Sequence, residues 1–173
     1  MLAALVLWIA VAAPEDQAPL KVGEAAPTFS LKTLNPDASK LKIFSLAKYV
    51  GDAPEEAKQA LVLSFSASYC EPCKKELAQL GALEPKLAKA GVQLAVVVID
   101  TEAEGIEQMR KLTVDQLKLP YPVLSDKFGV LAKRYHAFTL PYVVIVDKAG
   151  NVAWVHSGFA EGTLNQLTTK LGI

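Results

Sequence analysis

The sequence predicts an α/β protein: a mixed central sheet flanked by helices, with an N-terminal β-hairpin extension. Three observations carry this. The runs Leu61-Val62-Leu63-Ser64-Phe65, Val92-Gln93-Leu94-Ala95-Val96-Val97-Val98-Ile99 and Tyr142-Val143-Val144-Ile145-Val146 are apolar almost throughout, as in strands covered on both faces. Between and after them, apolar residues recur three or four apart, the period of helices with one buried stripe. Finally, the chain has 173 residues, 51% hydrophobic and 21% charged, enough apolar surface to offset chain entropy within one domain. Composition also excludes. Lys plus Arg number 18 and Asp plus Glu number 18, so no net positive field draws a nucleic acid or an anionic membrane. The 2 cysteines build neither a multi-disulfide scaffold nor a four-thiolate metal site.

In chain order, residues 1–13 are apolar and carry no ionisable side chain. They fall short of the ~20 residues that span a bilayer. They read as the apolar core of a secretory signal, with small residues at Ala10-Val11-Ala12 or Val11-Ala12-Ala13, although no basic residue precedes Leu2. The alternative is a short apolar leader that packs on the domain or anchors it. Residues 14–21, rich in proline and acid at the start, read as a linker. Residues 22–173 form the domain. Phe29, Leu31 and Thr33 alternate with Ser30 and Lys32 as in a half-buried strand, and Asn35-Pro36-Asp37 turns the chain into Leu41-Lys42-Ile43-Phe44. Ser45 is placed to cap a short helix through Val50. After the strand at Leu61, Leu77, Leu80, Leu83 and Leu87 mark a helix ending at Gly91, with Pro85 expected to kink it. Ile106, Met109 and Leu112 mark a helix running toward Leu117. Pro122-Val123-Leu124 precedes a helix near Lys127 to Tyr135. The strand at Tyr142 pairs through the turn Asp147-Lys148-Ala149-Gly150-Asn151 with Val152 to His156, and a helix from Thr163 to Leu171 closes the chain.

The chemistry sits at one junction. Cys70-Glu71-Pro72-Cys73 lies where a central strand ends and a helix begins, so Cys70 meets the unpaired N–H groups and positive dipole end of that helix, which favour a thiolate. Two sulfurs three residues apart at a helix start can close a small ring, Cys70 at the exposed edge and Cys73 further in. Cys70 is therefore the attacking thiol and Cys73 the resolving one. Pro72 fits a first turn that needs no N–H. A carboxylate at Glu71 disfavours the thiolate and so makes the dithiol more reducing. Glu76, three residues beyond Cys73, can take a proton from the resolving thiol, or can merely complement the helix dipole. His136 and His156 have no regular spacing with the cysteines, so no metal site is expected. Trp154 and Phe159 read as packing residues.

These motifs resemble the thioredoxin superfamily, and within it the exported TlpA/ResA-like thiol-disulfide oxidoreductases, over residues 23–171. The resemblance rests on Gly23-Glu24-Ala25-Ala26-Pro27, Cys70-Glu71-Pro72-Cys73-Lys74-Lys75-Glu76 and Leu140-Pro141. It implies a thioredoxin-like fold and no cofactor beyond a redox-active Cys70–Cys73 disulfide. It also implies disulfide-bearing exported clients, apocytochrome c among them, and a membrane thiol carrier as electron donor, with the enzyme in the periplasm or otherwise exported. Pro141 is implied to be cis and to face the disulfide, leaving the Leu140 backbone free to pair with an extended substrate. Tyr69, where the family usually carries Trp, Glu71 and Pro72 complete the substrate-facing set, and Tyr142 stands where a smaller residue is common. Two other readings stay open. A peroxiredoxin-like thiol peroxidase shares this architecture, but Leu63 and Ala67 occupy the positions where its Pro-x-x-x-Thr/Ser-x-x-Cys pattern places proline and a hydroxyl. A Cu(I) delivery module could use both thiolates, although such proteins commonly put three residues between the cysteines and add a distant histidine.

Overall fold

The structure, a computed structural model, describes residues 20–173. The leader at 1–13 and linker residues 14–19 lie outside them. Leu20, the next linker position, packs against the core, and the Gly23 N–H donates to the Val152 carbonyl at 2.7 Å.

Strands β1 (Ser30–Lys32) and β2 (Ile43–Ser45) form the expected antiparallel hairpin, Leu31 opposite Phe44. The turn between them is tighter than the sequence suggests: Asn35 leads into a single-turn helix, α1 (Pro36–Ser39), with proline where no N–H is needed. Asn35 is itself a tether. Its buried side-chain amide donates to the carbonyls of Leu119 and Tyr121 at 3.1 and 2.8 Å, and its Oδ1 accepts from the Val123 N–H at 3.0 Å. Ser45 does not cap a helix through Val50. It stays extended within β2, without a side-chain cap bond, and the chain then makes one 3-10 turn, Leu46–Lys48.

The main sheet has the order β5-β4-β3-β6-β7, from β3 (Ala60–Ser66), β4 (Val92–Val98), β5 (Val123–Ser125), β6 (Tyr142–Asp147) and β7 (Val152–Ser157). β3, β4 and β5 run parallel, β6 is antiparallel to β3, and β7 is antiparallel to β6. The carboxyl ends of β3, β4, β5 and β7 and the start of β6 therefore share one edge. Every residue of β3 is buried, which explains why it is apolar but for Ser64 and Ser66. Its side chains alternate between two cores. Leu61, Leu63 and Phe65 pack with Phe44, Tyr49 and Tyr135. Val62 packs with Leu77, Leu80 and Leu87 of α2 (Glu71–Lys89) and with Leu167 of α5 (Thr163–Leu171). This is a thioredoxin-like fold with an added N-terminal hairpin, as the sequence predicts.

α2 is a single element that contains Pro85. Two later helices differ from expectation. The helix at Ile106 is shorter: α3 (Ala103–Arg110) gives way to a wider π turn over Lys111–Gln116, where the Thr113 hydroxyl donates to the Met109 carbonyl at 2.7 Å, a back-bond that bends helices. The helix near Lys127 contracts to α4 (Val130–Arg134), preceded by Gly129 at φ +63°, a left-handed conformation that suits glycine.

Asn35→Ala would leave three buried backbone groups without partners. It should lower the unfolding free energy by about 2–3 kcal/mol, read as a lower urea midpoint. A change within about 0.5 kcal/mol, typical of inert surface sites, would contradict the tethering role.

Candidate active site

The tight loop after β3, in which the Cys70 N–H donates to the Ala67 carbonyl at 3.1 Å, delivers Cys70 to the N-cap of α2. Its backbone is extended there (φ −97°, ψ 93°), and its sulfur accepts from the Cys73 N–H at 3.3 Å. The sulfur shares this N–H with the Cys70 carbonyl, 3.1 Å away, and a donor so placed at a helix N-terminus stabilises a thiolate. Cys70 and Cys73 are joined as a disulfide with Cα atoms 5.3 Å apart. The pair is asymmetric: Cys70 is 7% exposed and Cys73 1%, so an incoming sulfur meets Cys70 first. Pro72 occupies the first turn of α2 and Tyr69, beside the outer sulfur, is 74% exposed.

Glu71 is exposed and paired with Lys74 one turn on, so its charge is already partly balanced and its influence on the thiolate is weaker than an isolated carboxylate's. Glu76 is the reverse. It is 3% exposed, and its Oε1 accepts from the Ser64 hydroxyl at 2.8 Å. Burial pushes its carboxyl above the usual range, and the Ser64 hydrogen bond offsets part of that rise. A dipole-complementing surface acid does not look like this. Glu76 also lines a cleft of about 630 Å3 between α2 and the segment that leads into α5, with Gln79, Phe159 and Thr163 among its walls.

The Leu140–Pro141 peptide is cis and opens β6 on the edge that carries the disulfide. Neither backbone polar group of Leu140 has a backbone partner among the described residues. Tyr142 is buried, its ring set edge-on to Phe65 at 5.8 Å. Besides Tyr69, exposed aromatic residues include Phe159 and Phe138. Phe159, expected to be a packing residue, is 47% exposed at the cleft. Phe138, in the loop before Leu140, is exposed with His136 against its ring at 5.7 Å. His156 stacks on Trp154, and its Nε2 lies 3.1 Å from the Thr163 hydroxyl.

Asp100 and Ser68 belong to the site although no motif marks them. Asp100, buried just beyond β4, accepts from the Ser68 N–H at 2.9 Å and from the Ser68 hydroxyl at 2.6 Å, so it clamps the loop that presents Cys70. α3 presses on this carboxylate so closely that a Cβ at Gly105 would stand 2.3 Å from Oδ1. The signals available in the sequence are an acid directly after the six-residue apolar run Leu94 to Ile99 and a glycine five residues on.

A family model described as the AhpC/TSA family matches residues 22–155. The thioredoxin-like protein YneN of Bacillus subtilis is 32% identical over 141 residues, 80% of this chain and 73% of that protein. The thiol-disulfide oxidoreductase ResA of Bacillus thuringiensis subsp. konkukian is 30% identical over 152 residues, 88% of this chain and 78% of that one. Among solved structures, StoA of Bacillus subtilis superposes with a TM-score of 0.64 at 24% identity, over 84% of this chain and 96% of that one. A secreted Mycobacterium tuberculosis disulfide oxidoreductase does so with 0.64 at 19%, over 83% and 94%. These two likenesses speak to the fold.

A buried acid whose folded proton affinity is raised stabilises the protein below its unfolded pKa and loses that contribution as pH climbs to the folded value. Glu76→Gln should therefore gain stability relative to the unchanged protein as pH rises from the ordinary glutamate value of 4.5, and the difference should level off above the folded value. Urea unfolding across that interval measures it. A difference that does not vary with pH would contradict the buried, charge-averse setting.

Proposed function

The chain belongs to the AhpC/TSA family, as one of its thioredoxin-like thiol-disulfide oxidoreductases, and we propose that it reduces disulfides in exported proteins through Cys70 and Cys73. The observation that carries this is the asymmetric sulfur pair at the N-terminus of α2, one sulfur reachable and hydrogen-bonded to the helix, the other behind it. Cys70 thiolate attacks a client disulfide and releases one client thiolate. Glu76 takes the Cys73 proton, and the Cys73 thiolate attacks Cys70, freeing the second client thiolate and leaving the enzyme disulfide. Both electrons pass from the dithiol to the client, and no cofactor takes part.

The free backbone of Leu140 supports pairing with an extended client segment, and the exposed Tyr69, beside Glu71 and Pro72, supports contact on the other flank. Apocytochrome c is the client class proposed, with a membrane thiol carrier restoring the dithiol. Periplasmic or otherwise exported placement is supported by the apolar leader at 1–13. No helix among the described residues is long and apolar enough to cross a membrane. The reducing direction draws on Glu76, whose buried carboxylate disfavours a neighbouring thiolate; Glu71, partly balanced by Lys74, adds less. Against peroxide reduction, Leu63 and Ala67 are fully buried and carry no hydroxyl.

Cys73→Ser should accumulate mixed disulfides with clients, visible as reducible high-mass bands on non-reducing gels, and Cys70→Ser should not. Equal trapping by both variants, or none by Cys73→Ser, would count against the assignment of roles.

A further inference from the structure

We propose that Ser64 is a positioning residue for disulfide exchange: its hydroxyl holds the Glu76 carboxylate in the state that can accept the Cys73 proton. This rests on the exchange chemistry proposed above and adds a residue to it.

Ser64 interrupts an otherwise apolar run. β3 is buried along its whole length, and a hydroxyl there costs free energy unless it is hydrogen-bonded. Strand alternation turns Ser64 to the same side as Val62, which packs under α2, and α2 presents Cys73, Glu76, Leu77 and Leu80 on its buried stripe. The only hydrogen bond found for the Ser64 hydroxyl among the described residues is the one to Glu76, at 2.8 Å. Two buried polar groups, from the central strand and the active-site helix, therefore satisfy each other one turn beyond the resolving cysteine.

A hydroxyl can serve both protonation states of the acid. It donates to the carboxylate, stabilising the anion against desolvation. When Glu76 is protonated the same oxygen can accept, because a serine rotor serves both roles. In the resolving step the Cys73 S–H bond breaks and its proton goes to Glu76. The Cys73 thiolate then bonds to Cys70, and the bond between Cys70 and the client breaks with its electron pair leaving on the client sulfur. Without Ser64 the buried carboxyl holds its proton to higher pH and has no room for that of Cys73. Other groups face the same carboxyl. The Tyr121 hydroxyl, buried without a partner among the described residues, lies within electrostatic reach of it. Lys75 and Glu161 line the cleft beside it, and His156 reaches Thr163 on the cleft wall. None of these is hydrogen-bonded to Glu76.

Reaction of the reduced protein with Ellman's reagent separates the two thiols: a first chromophore release reports attack by Cys70, a second reports resolution by Cys73. In Ser64→Ala the second phase should slow about tenfold at pH 7, the effect of losing a hydrogen bond to a charged group, and its pH midpoint should move alkaline. The first phase should not change, and Ser64→Thr, which keeps the hydroxyl, should restore the profile. In a Glu76→Gln background Ser64→Ala should add nothing further, whereas a purely structural defect would add to it. A second phase with the unaltered pH profile in Ser64→Ala overturns the proposal while exchange by the wild type stands. Absence of any second release from the wild type overturns both.

Discussion

The first turn of α2 has N–H groups that no residue of the helix can accept, and the rest of the site is arranged around that fact. β3 and α2 are joined by a loop too short to move far. The residue at the joint must sit at the helix cap, where partial positive charge favours an anion. Cys70 fills that position, and Asp100 fixes the loop through both the N–H and the hydroxyl of Ser68. The three-residue spacing then places Cys73 one turn inward, within bonding distance but shielded from a client. The division of labour between the sulfurs comes from this geometry, since their chemistry is otherwise identical.

The environment beneath the sulfurs sets how readily they give up electrons. Desolvating a carboxylate costs several kcal/mol, whereas a hydrogen bond to a charged group returns about 1.5–3 kcal/mol. Burial therefore wins over the Ser64 bond, in keeping with the upward direction found for Glu76. A carboxyl in that state can both receive a proton from a thiol and discourage a second negative charge nearby. At the surface, Glu71 and Lys74 show the opposite regime: an exposed pair, screened by water, is of small consequence.

Much of this is legible in the sequence. The buried strands at Leu61, Val92 and Tyr142 announce themselves by nearly uninterrupted apolar residues, α2 by its leucine spacing, and the thiol pair by its place between strand and helix. The features that stay hidden depend on contacts between distant segments. Asn35 looks like a turn residue, and only the fold brings it to Leu119, Tyr121 and Val123. The wider turn after Arg110 depends on the Thr113 hydroxyl bonding backward, which no periodicity reveals. Glu71 and Glu76 look alike as letters, yet one is paired in water and the other buried against β3, because five residues of helix rotate them onto different faces. Asp100 gains its role from Ser68, 32 positions away.

The most direct test of this account is equilibration of the Cys70–Cys73 couple with thiol–disulfide buffers of known potential, scored by the fraction of protein alkylated. The account predicts a single reversible two-electron transition on the reducing side, near thioredoxin's value of about −270 mV. A pair that never equilibrates, or a midpoint near the strongly oxidising value of about −120 mV, would contradict it.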